Sequence, residues 1–145
     1  MEHVPHVVAV NVGRSAPLQI GDRVVRSGIV KRAATGPVAV GSTGLAGDEQ
    51  ADAVNHGGPY KAAYAYARED ATWWERELGR PLNPGAFGEN LTLAGVDVTG
   101  ARIGERWRIG SAEFQVSGPR VPCSKLDPAR ADMNPELLSW LYRAA

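Results

Sequence analysis

The fold of this 145-residue chain is decided by the segment Lys61-Ala-Ala-Tyr-Ala-Tyr-Ala-Arg-Glu-Asp-Ala-Thr-Trp-Trp-Glu-Arg-Glu-Leu-Gly79, where the hydrophobic pattern changes its period. Residues 61–66 alternate small and aromatic side chains, which predicts a β-strand. Residues 69–78 place both tryptophans and Leu78 at helical spacing with charges between them, and Gly79 ends the predicted helix. One strand therefore leads directly into one helix.

Outside this segment the apolar runs are short, and the 17 glycines and 10 prolines are spread along the chain. Strands are predicted at residues 7–12, 23–32, 37–40, 90–93, 106–109 and 113–117, and a short C-terminal helix at residues 135–142. A parallel sheet built from βαβ units would need more helices than this pattern supplies. The sequence predicts one mainly β domain over residues 1–145, a β-barrel with one central helix.

Composition excludes several classes of function. The chain has 16 basic and 16 acidic side chains, so it lacks the basic excess of a broad nucleic-acid-binding surface. No apolar run is long enough to cross a membrane, and residues 1–12 do not resemble a signal peptide. A single cysteine cannot form an internal disulfide, so we expect a cytoplasmic protein. Any electrons that the protein uses must come from a partner or a bound cofactor, because an iron–sulfur cluster or a redox dithiol needs more cysteines.

That cysteine, Cys123, lies in the stretch Ser117-Gly-Pro-Arg-Val-Pro-Cys-Ser-Lys125. Two prolines stiffen the loop, and Arg120 and Lys125 are cations that favour the thiolate form. A thiolate is both a nucleophile and a soft metal ligand. A lone cysteine is more often a small buried hydrophobe, but a core position would need neither the prolines nor the cations.

A second segment, Asn55-His-Gly-Gly-Pro-Tyr-Lys61, combines consecutive glycines with His56 and Lys61. The glycines allow backbone N–H groups to approach an anion, although a tight turn is an equally good local interpretation. A third segment, residues 84–91, offers Glu89 and Asn90 as polar ligands or, alternatively, a turn with a capping carboxylate. The acidic stretch at residues 47–52 lacks EF-hand spacing, and Asp48 and Asp52 are interpreted as structural, bonding backbone or a basic neighbour.

Taken in this order, these segments resemble the MOSC domain family, the domain also found at the C-terminus of molybdenum cofactor sulfurases, and most closely its YiiM-like branch. The resemblance covers residues 27–32, 44–52, 56–59, 61–62, 84–93, 103–104 and 119–126. It implies a MOSC-type β-barrel, a molybdenum–pterin cofactor of the molybdopterin type and a cysteine ligand to molybdenum. It also implies reduction of N-hydroxylated small molecules, with electrons from a separate donor protein.

The resemblance also implies roles for individual residues. Cys123 would be the metal ligand and a catalytic residue, together with His56 and Tyr60. The cofactor-binding residues would be Ser27, Lys31, His56, Gly57, Gly58, Lys61, Asn90 and Arg120. Of these, Ser27 stands where many relatives have threonine, and His56 and Asn90 would line the cavity.

The sequence departs from the family pattern at Tyr60, where many relatives have aspartate before the lysine. A phenol with an ordinary pKa of about 10 is a poor proton shuttle. Two alternatives to the reductase therefore stay open: a persulfide-carrying or cofactor-handling protein that uses Cys123, and a biosynthetic enzyme that reuses the same pocket. The chain also stops sooner after the cysteine loop than YiiM-like chains do, which leaves open either a minimal domain or a homodimer whose partner supplies the missing part.

Overall fold

The computed structural model describes residues 4–20, 22–49 and 61–119. The strands are β1 (His6–Val12), β2 (Ala16–Ile20), β3 (Arg23–Ser27), β4 (Arg32–Ala33), β5 (Val40–Gly41), β6 (Gly44–Leu45), β7 (Ala65–Ala67), β8 (Leu91–Ala94), β9 (Arg106–Ile109) and β10 (Ala112–Gln115), and the helix in this part of the chain is α1 (Arg68–Leu78). The fold of the described part is therefore mainly β with one central helix, as the sequence predicts.

The main sheet has four strands in the order β4-β1-β8-β7. Strand β1 is antiparallel to both of its neighbours, with Val10 opposite Leu91 in β8 and Asn11 opposite Ala33 in β4. Strand β7 is parallel to β8, with Tyr66 opposite Thr92. Because α1 lies between these two strands in the chain, the structure contains one βαβ connection inside a mainly antiparallel protein.

The other described strands form three antiparallel pairs, β2 with β3, β5 with β6 and β9 with β10. Strand β2 was not predicted, because Pro17 and the short apolar content of Ala16–Ile20 obscure its pattern. Its partner β3 ends at Ser27, so the predicted strand over residues 23–32 is divided into β3 and β4. The described strands do not form a closed barrel, and the barrel remains a prediction.

Helix α1 presents Ala71 and Trp74 to the core, at the spacing of one helical face. Glu69 and Asp70 stand in its first turn, where they complement the helix dipole, and Gly79 ends it in the left-handed conformation with φ 70°. After this end the chain is held by the Glu75 carboxylate, which accepts hydrogen bonds from the Leu82 N–H at 2.8 Å and from the Arg68 guanidinium at 2.9 Å. These donors hold the pKa of Glu75 below its usual range, the Leu82 bond being the larger cause.

The core lies between α1, β7 and the segment that precedes β8. Its buried members are Ile29, Tyr66, Ala71, Trp74, Leu82, Ala86 and Phe87. Tyr66 stacks on Phe87 with ring centroids 4.2 Å apart, an aromatic contact that adds to the burial of both side chains. The segment 82–90 is thus part of the core although it contains no strand. No helix in the described part of the chain is long and apolar enough to span a membrane.

Candidate functional site

A buried polar cluster, formed by Asn11, Lys31, Asp48 and Asn90, lies where the ends of β1 and β8 meet the loops that follow β3 and β6. The Lys31 ammonium contacts Asp48 Oδ1 at 2.5 Å, and the two side chains are only 5% and 2% exposed. Asp48 Oδ1 also accepts the Gly13 N–H at 2.9 Å. The interpretation of Asp48 as a structural residue that bonds backbone or a basic neighbour is confirmed, and Asp52 lies outside the described residues.

Asn90 connects this ion pair to the sheet. Its Nδ2 donates to Asp48 Oδ2 at 2.9 Å and to the Asn11 carbonyl at 3.2 Å, while its Oδ1 accepts the Tyr64 N–H at 3.1 Å. The Asn11 Nδ2 donates in turn to Thr92 Oγ1 at 2.9 Å and to the Glu89 carbonyl at 3.2 Å. Asn11 Oδ1 is the one polar side-chain atom of the cluster that is buried without a hydrogen-bond partner among the described residues.

Two glycines allow the backbone segments around Lys31 to approach one another closely. A Cβ on Gly13 would lie 2.1 Å from the Val30 carbonyl oxygen, and one on Gly85, where φ is 87°, would lie 3.0 Å from the Lys31 Cβ. The contact at Gly13 is shorter than a side chain tolerates, and at Gly85 a tight contact adds to a positive φ that side chains rarely adopt, so glycine suits both positions around Lys31. The cluster is therefore shaped by backbone as well as by charge.

The structure brings Lys31 and Asn90 together through Asp48, but both have their polar groups bonded within the protein. The Ser27 hydroxyl is also buried and accepts the Ile29 N–H at 3.1 Å. Lys61 is exposed and lies at the start of the segment that leads into β7. The other predicted site residues, His56, Gly57, Gly58, Tyr60, Arg120 and Cys123, lie outside the described residues, as does the predicted helix at 135–142.

Glu89 is a buried carboxylate beside this cluster, with only 2% of the residue exposed. Its Oε1 contacts the Phe87 N–H at 3.4 Å, a long hydrogen bond within the same turn. This contact agrees with a turn capped by a carboxylate, the alternative interpretation of residues 84–91. Among the residues that the structure describes, no group of three or more His, Cys, Asp or Glu side chains is arranged to hold a metal ion.

A cleft of about 610 Å³ opens on the β7 side of the main sheet. The β9–β10 hairpin forms one of its walls, and the segments at residues 62–67, 98–103 and 117–119 also line it. The aromatic side chains in its lining belong to Tyr64, Tyr66, Trp107 and Phe114, and its carboxylates to Asp70 and Glu113. Its volume lies in the usual range for small-molecule sites.

The carboxylates of the cleft have partners. Asp70 Oδ2 accepts the Thr99 hydroxyl at 3.1 Å, and Glu113 pairs with Arg106 at 2.8 Å in an exposed ion pair. Tyr66, only 3% exposed, has a hydroxyl without a hydrogen-bond partner among the described residues. Burial, and then the charge of Asp70, raise the pKa of Tyr66 well above its usual range, so this phenol stays protonated at neutral pH.

Both the sequence and the fold of this chain match known proteins. The model of the MOSC domain matches residues 52–143, well over half of the chain. This chain belongs to the MOSC domain family. Within the family it is 38% identical over 126 residues to protein YiiM of Escherichia coli, covering 80% of this chain and 56% of that protein. It is 44% identical over 120 residues to the uncharacterized protein YflK of Bacillus subtilis, covering 83% of this chain and 54% of YflK.

A crystal structure of YiiM from Geobacillus stearothermophilus shares the fold of this MOSC domain with a TM-score of 0.69 and 35% identity, covering 96% of this chain and 64% of that one. These matches place the chain on the YiiM-like branch. A protein of Gibberella moniliformis named "Reductase" is 33% identical over 127 residues, covering 83% of this chain and 22% of that protein. The MOSC chain described here spans about half the length of the bacterial relatives YflK and YiiM.

Two functional features escaped prediction from the sequence. Asn11 interrupts the otherwise apolar run at residues 7–12, and this polar residue in a valine-rich strand is the signal that could have located the buried cluster. The cleft had no such signal, because its lining comes from strands and loops far apart in the chain.

Proposed function

We propose that this MOSC domain binds a molybdenum–pterin cofactor through Cys123 and reduces N-hydroxylated small molecules with electrons from a separate protein. The family match and the reductase-named relative support an oxidoreductase of this kind. The single cysteine supports an external electron source, because the chain has no second thiol with which to form a redox pair.

The observation that carries the proposal is which residues line the cleft. Ala62, which follows Lys61, and Pro119, which precedes Arg120, both line it. Cys123 is four residues beyond Pro119, and four residues span at most about 14 Å when fully extended. Described residues next to both of the predicted reactive segments therefore line one cavity, whose volume suits a small planar substrate.

The described residues of the buried cluster would support the cofactor site without binding the cofactor directly. The Lys31 charge that a phosphate would need is already balanced by Asp48, and the Asn90 amide is fully bonded. We therefore assign the anion of the cofactor to Gly57, Gly58 and Arg120, with Lys61 beside them, and its metal to Cys123. When bound, the cofactor would supply the two-electron chemistry that turns R–NHOH, with two electrons and two protons, into R–NH₂ and water.

Within the cleft, the described residues would bind and orient the substrate. The Trp107 and Phe114 side chains offer apolar contact to a planar ring, and Asp70, held by Thr99, offers an acceptor for an N–H donor. Cytoplasmic location and a homodimer remain parts of this proposal.

The test is metal and pterin analysis of the purified full chain after expression in a host that makes the cofactor. We expect stoichiometric molybdenum and pterin in the wild type, loss of molybdenum in Cys123→Ser, and full loading in Ser111→Ala, a matched change at an exposed position that does not line the cleft. Reduction of a hydroxylamino purine by the loaded protein, with reduced methyl viologen as the electron source, would then test the reaction. A wild type that carries no molybdenum would refute the proposal.

The persulfide alternative is favoured by Tyr60, which replaces the carboxylate common in relatives. Mass spectrometry distinguishes it, because a persulfide adds one sulfur atom to the Cys123 peptide and Cys123→Ser abolishes that addition. The reused biosynthetic pocket is tested with Tyr60→Asp. If the loaded variant gains reduction of a hydroxylamino purine that the wild type lacks, Tyr60 is the residue that redirects the pocket to another substrate.

A further inference from the structure

Strand β7 is an outer strand of the main sheet, and its free edge borders the cleft. The sheet order ends at β7, which pairs with β8 on one side. Every residue from 62 to 67 lines the cleft. Because successive side chains of a strand point to opposite faces, a cavity that contacts consecutive residues lies along the edge of the strand, where backbone groups are presented. The cleft is therefore bordered by backbone as well as by side chains.

The strand register shows which backbone groups of β7 point toward the cleft. The Leu91 N–H donates to the Tyr64 carbonyl at 3.0 Å, and Ala65 lies opposite Leu91. Alternate residues of a strand bond to the same neighbour, so Tyr64 and Tyr66 direct their backbone groups to β8. The Ala65 carbonyl and the Ala67 N–H point away from β8. Neither group makes a hydrogen bond to another residue in the described part of the chain.

The Ala67 N–H is the more demanding of these two groups. Ala67 is only 4% exposed, and it is the N-terminal cap of α1 with an extended backbone. A buried N–H without an acceptor is costly, so a bound molecule that supplies an acceptor would gain from it. Asp70 stands where a capping carboxylate can reach back to such an N–H, but its Oδ2 accepts the Thr99 hydroxyl at 3.1 Å instead.

The β9–β10 hairpin gives the cleft an aromatic wall. Trp107 and Phe114 are paired across its two strands, and both are half-buried and line the cleft. Aromatic side chains pack well against flat rings. A backbone acceptor and a backbone donor on one edge complement a flat molecule that carries a donor beside an acceptor. The cleft therefore combines shape and hydrogen-bonding groups that suit a planar heterocycle.

We propose that the free edge of β7 determines substrate specificity by binding a planar heterocycle through a ring nitrogen and the exocyclic N–H next to it. The ring nitrogen accepts the Ala67 N–H, and the exocyclic N–H donates to the Ala65 carbonyl. A site of this kind rejects molecules that lack either group, because a backbone group of the protein is then left unpaired. The inference deepens the proposed function and rests on it, since it takes the cleft as the substrate site.

The experiment measures binding of adenine to the full chain by calorimetry, because adenine carries this pair of groups and has no N–O bond to reduce. Two analogues each lack one group: 1-deazaadenine has a carbon in place of the ring nitrogen, and 6-dimethylaminopurine has no exocyclic N–H. We expect each analogue to bind about tenfold more weakly than adenine. Adenine should also slow hydrogen exchange at the Ala67 amide at least about tenfold, whereas 1-deazaadenine should not.

The protein side of the hydrogen bond is tested by placing lactic acid at position 67, which turns the Ala67 amide into an ester and removes only its N–H. The matched control is lactic acid at position 65. It removes another N–H of the same edge and weakens the preceding carbonyl in the same way, but it keeps the Ala65 carbonyl and the Ala67 N–H. We expect adenine to bind about tenfold more weakly to the ester at 67 and within about twofold of the wild type to the ester at 65.

Equal affinity for adenine and 1-deazaadenine, equal losses for the two esters, or no adenine binding would each overturn the inference. If the ester at 67 does not fold, hydrogen exchange at the wild-type Ala67 amide decides, and unchanged exchange with adenine overturns the inference. The expected pattern in a protein that never acquires molybdenum would uphold the edge and reject the reductase. A protein that acquires molybdenum and reduces a hydroxylamino purine without this pattern would keep the reductase and overturn the edge.

Discussion

The buried Lys31–Asp48 pair provides the sharpest test of how this domain is held together. We consider Lys31→Met, which keeps the length of the side chain, Asp48→Asn, which keeps its shape, and the double variant. Each single change leaves one charge buried without its partner, because the lysine and aspartate side chains are only 5% and 2% exposed. The double change leaves two neutral groups of nearly the original volume.

The magnitudes follow from the contacts. Removing one member of a buried ion pair costs about 3–5 kcal/mol. Lys31→Met leaves Asp48 with two neutral donors, Gly13 N–H and Asn90 Nδ2, so we expect the lower end, about 3 kcal/mol. We expect about the same for Asp48→Asn and about 2 kcal/mol or less for the double variant, since neutral replacement of both charges removes the burial penalty. The coupling free energy is therefore about 4 kcal/mol or more.

Urea denaturation of the four proteins gives this coupling directly. The matched control is the double-mutant cycle Arg106→Met and Glu113→Gln, an ion pair of similar length, 2.8 Å, whose side chains are 68% and 49% exposed. For that pair we expect a coupling below about 1 kcal/mol. A value for Lys31 and Asp48 that is no larger than the control would refute the reasoning, because it would mean that neither charge is effectively buried.

Three further predictions concern single positions. Tyr66→Phe should leave the free energy of unfolding unchanged or raise it by up to about 1 kcal/mol in urea denaturation, because the lost hydroxyl is buried without a described partner; a clear loss would mean that the hydroxyl is bonded. The pKa of Glu75 is lowered by folding, so its charge stabilises the protein above about pH 4.5. The stability advantage of the wild type over Glu75→Gln should therefore shrink when urea denaturation is repeated at lower pH. A difference that stays constant with pH would contradict this. Gly13→Ala should cost about 3 kcal/mol, since its Cβ would meet the Val30 carbonyl at 2.1 Å. Gly36→Ala, with nothing within 4 Å, should change thermal stability little, by less than about 0.5 kcal/mol, and equal effects at both glycines would argue against the close packing.

Much of the fold could be predicted because its elements carry their own periodicity. The helix predicted at residues 69–78 is Arg68–Leu78, and the strands predicted at 7–12 and 106–109 are His6–Val12 and Arg106–Ile109. The failures have local causes. Strand β2 contains a proline that hides it. The strand predicted at 37–40 is only Val40–Gly41 in the structure, and two-residue strands such as β5 and β6 are too short to show a period. The parallel pairing of β7 with β8 depends on contacts that no local pattern encodes.

The candidate site could be predicted in its residue types but not in its partners. The sequence selects Lys31 and Asn90, and it favours a structural role for Asp48. It cannot show that all three meet, because they lie on separate loops that come together only through the main sheet. For the same reason the sequence assigns Asn90 to a cavity wall, whereas in the structure its amide is hydrogen-bonded to three groups of the protein.

The buried cluster supplies hydrogen-bond acceptors that the strands of the sheet do not provide. Gly13 follows the end of β1, and Tyr64 precedes β7, so their N–H groups have no ladder partner there. An unsatisfied buried N–H costs about 1–3 kcal/mol. The Asp48 side chain accepts the hydrogen bond of the Gly13 N–H, and the Asn90 side chain accepts that of the Tyr64 N–H. Each side chain thus takes the place of an acceptor on a neighbouring strand. The Asp48 and Asn90 side chains are thus committed to joining the loops around the main sheet to one another.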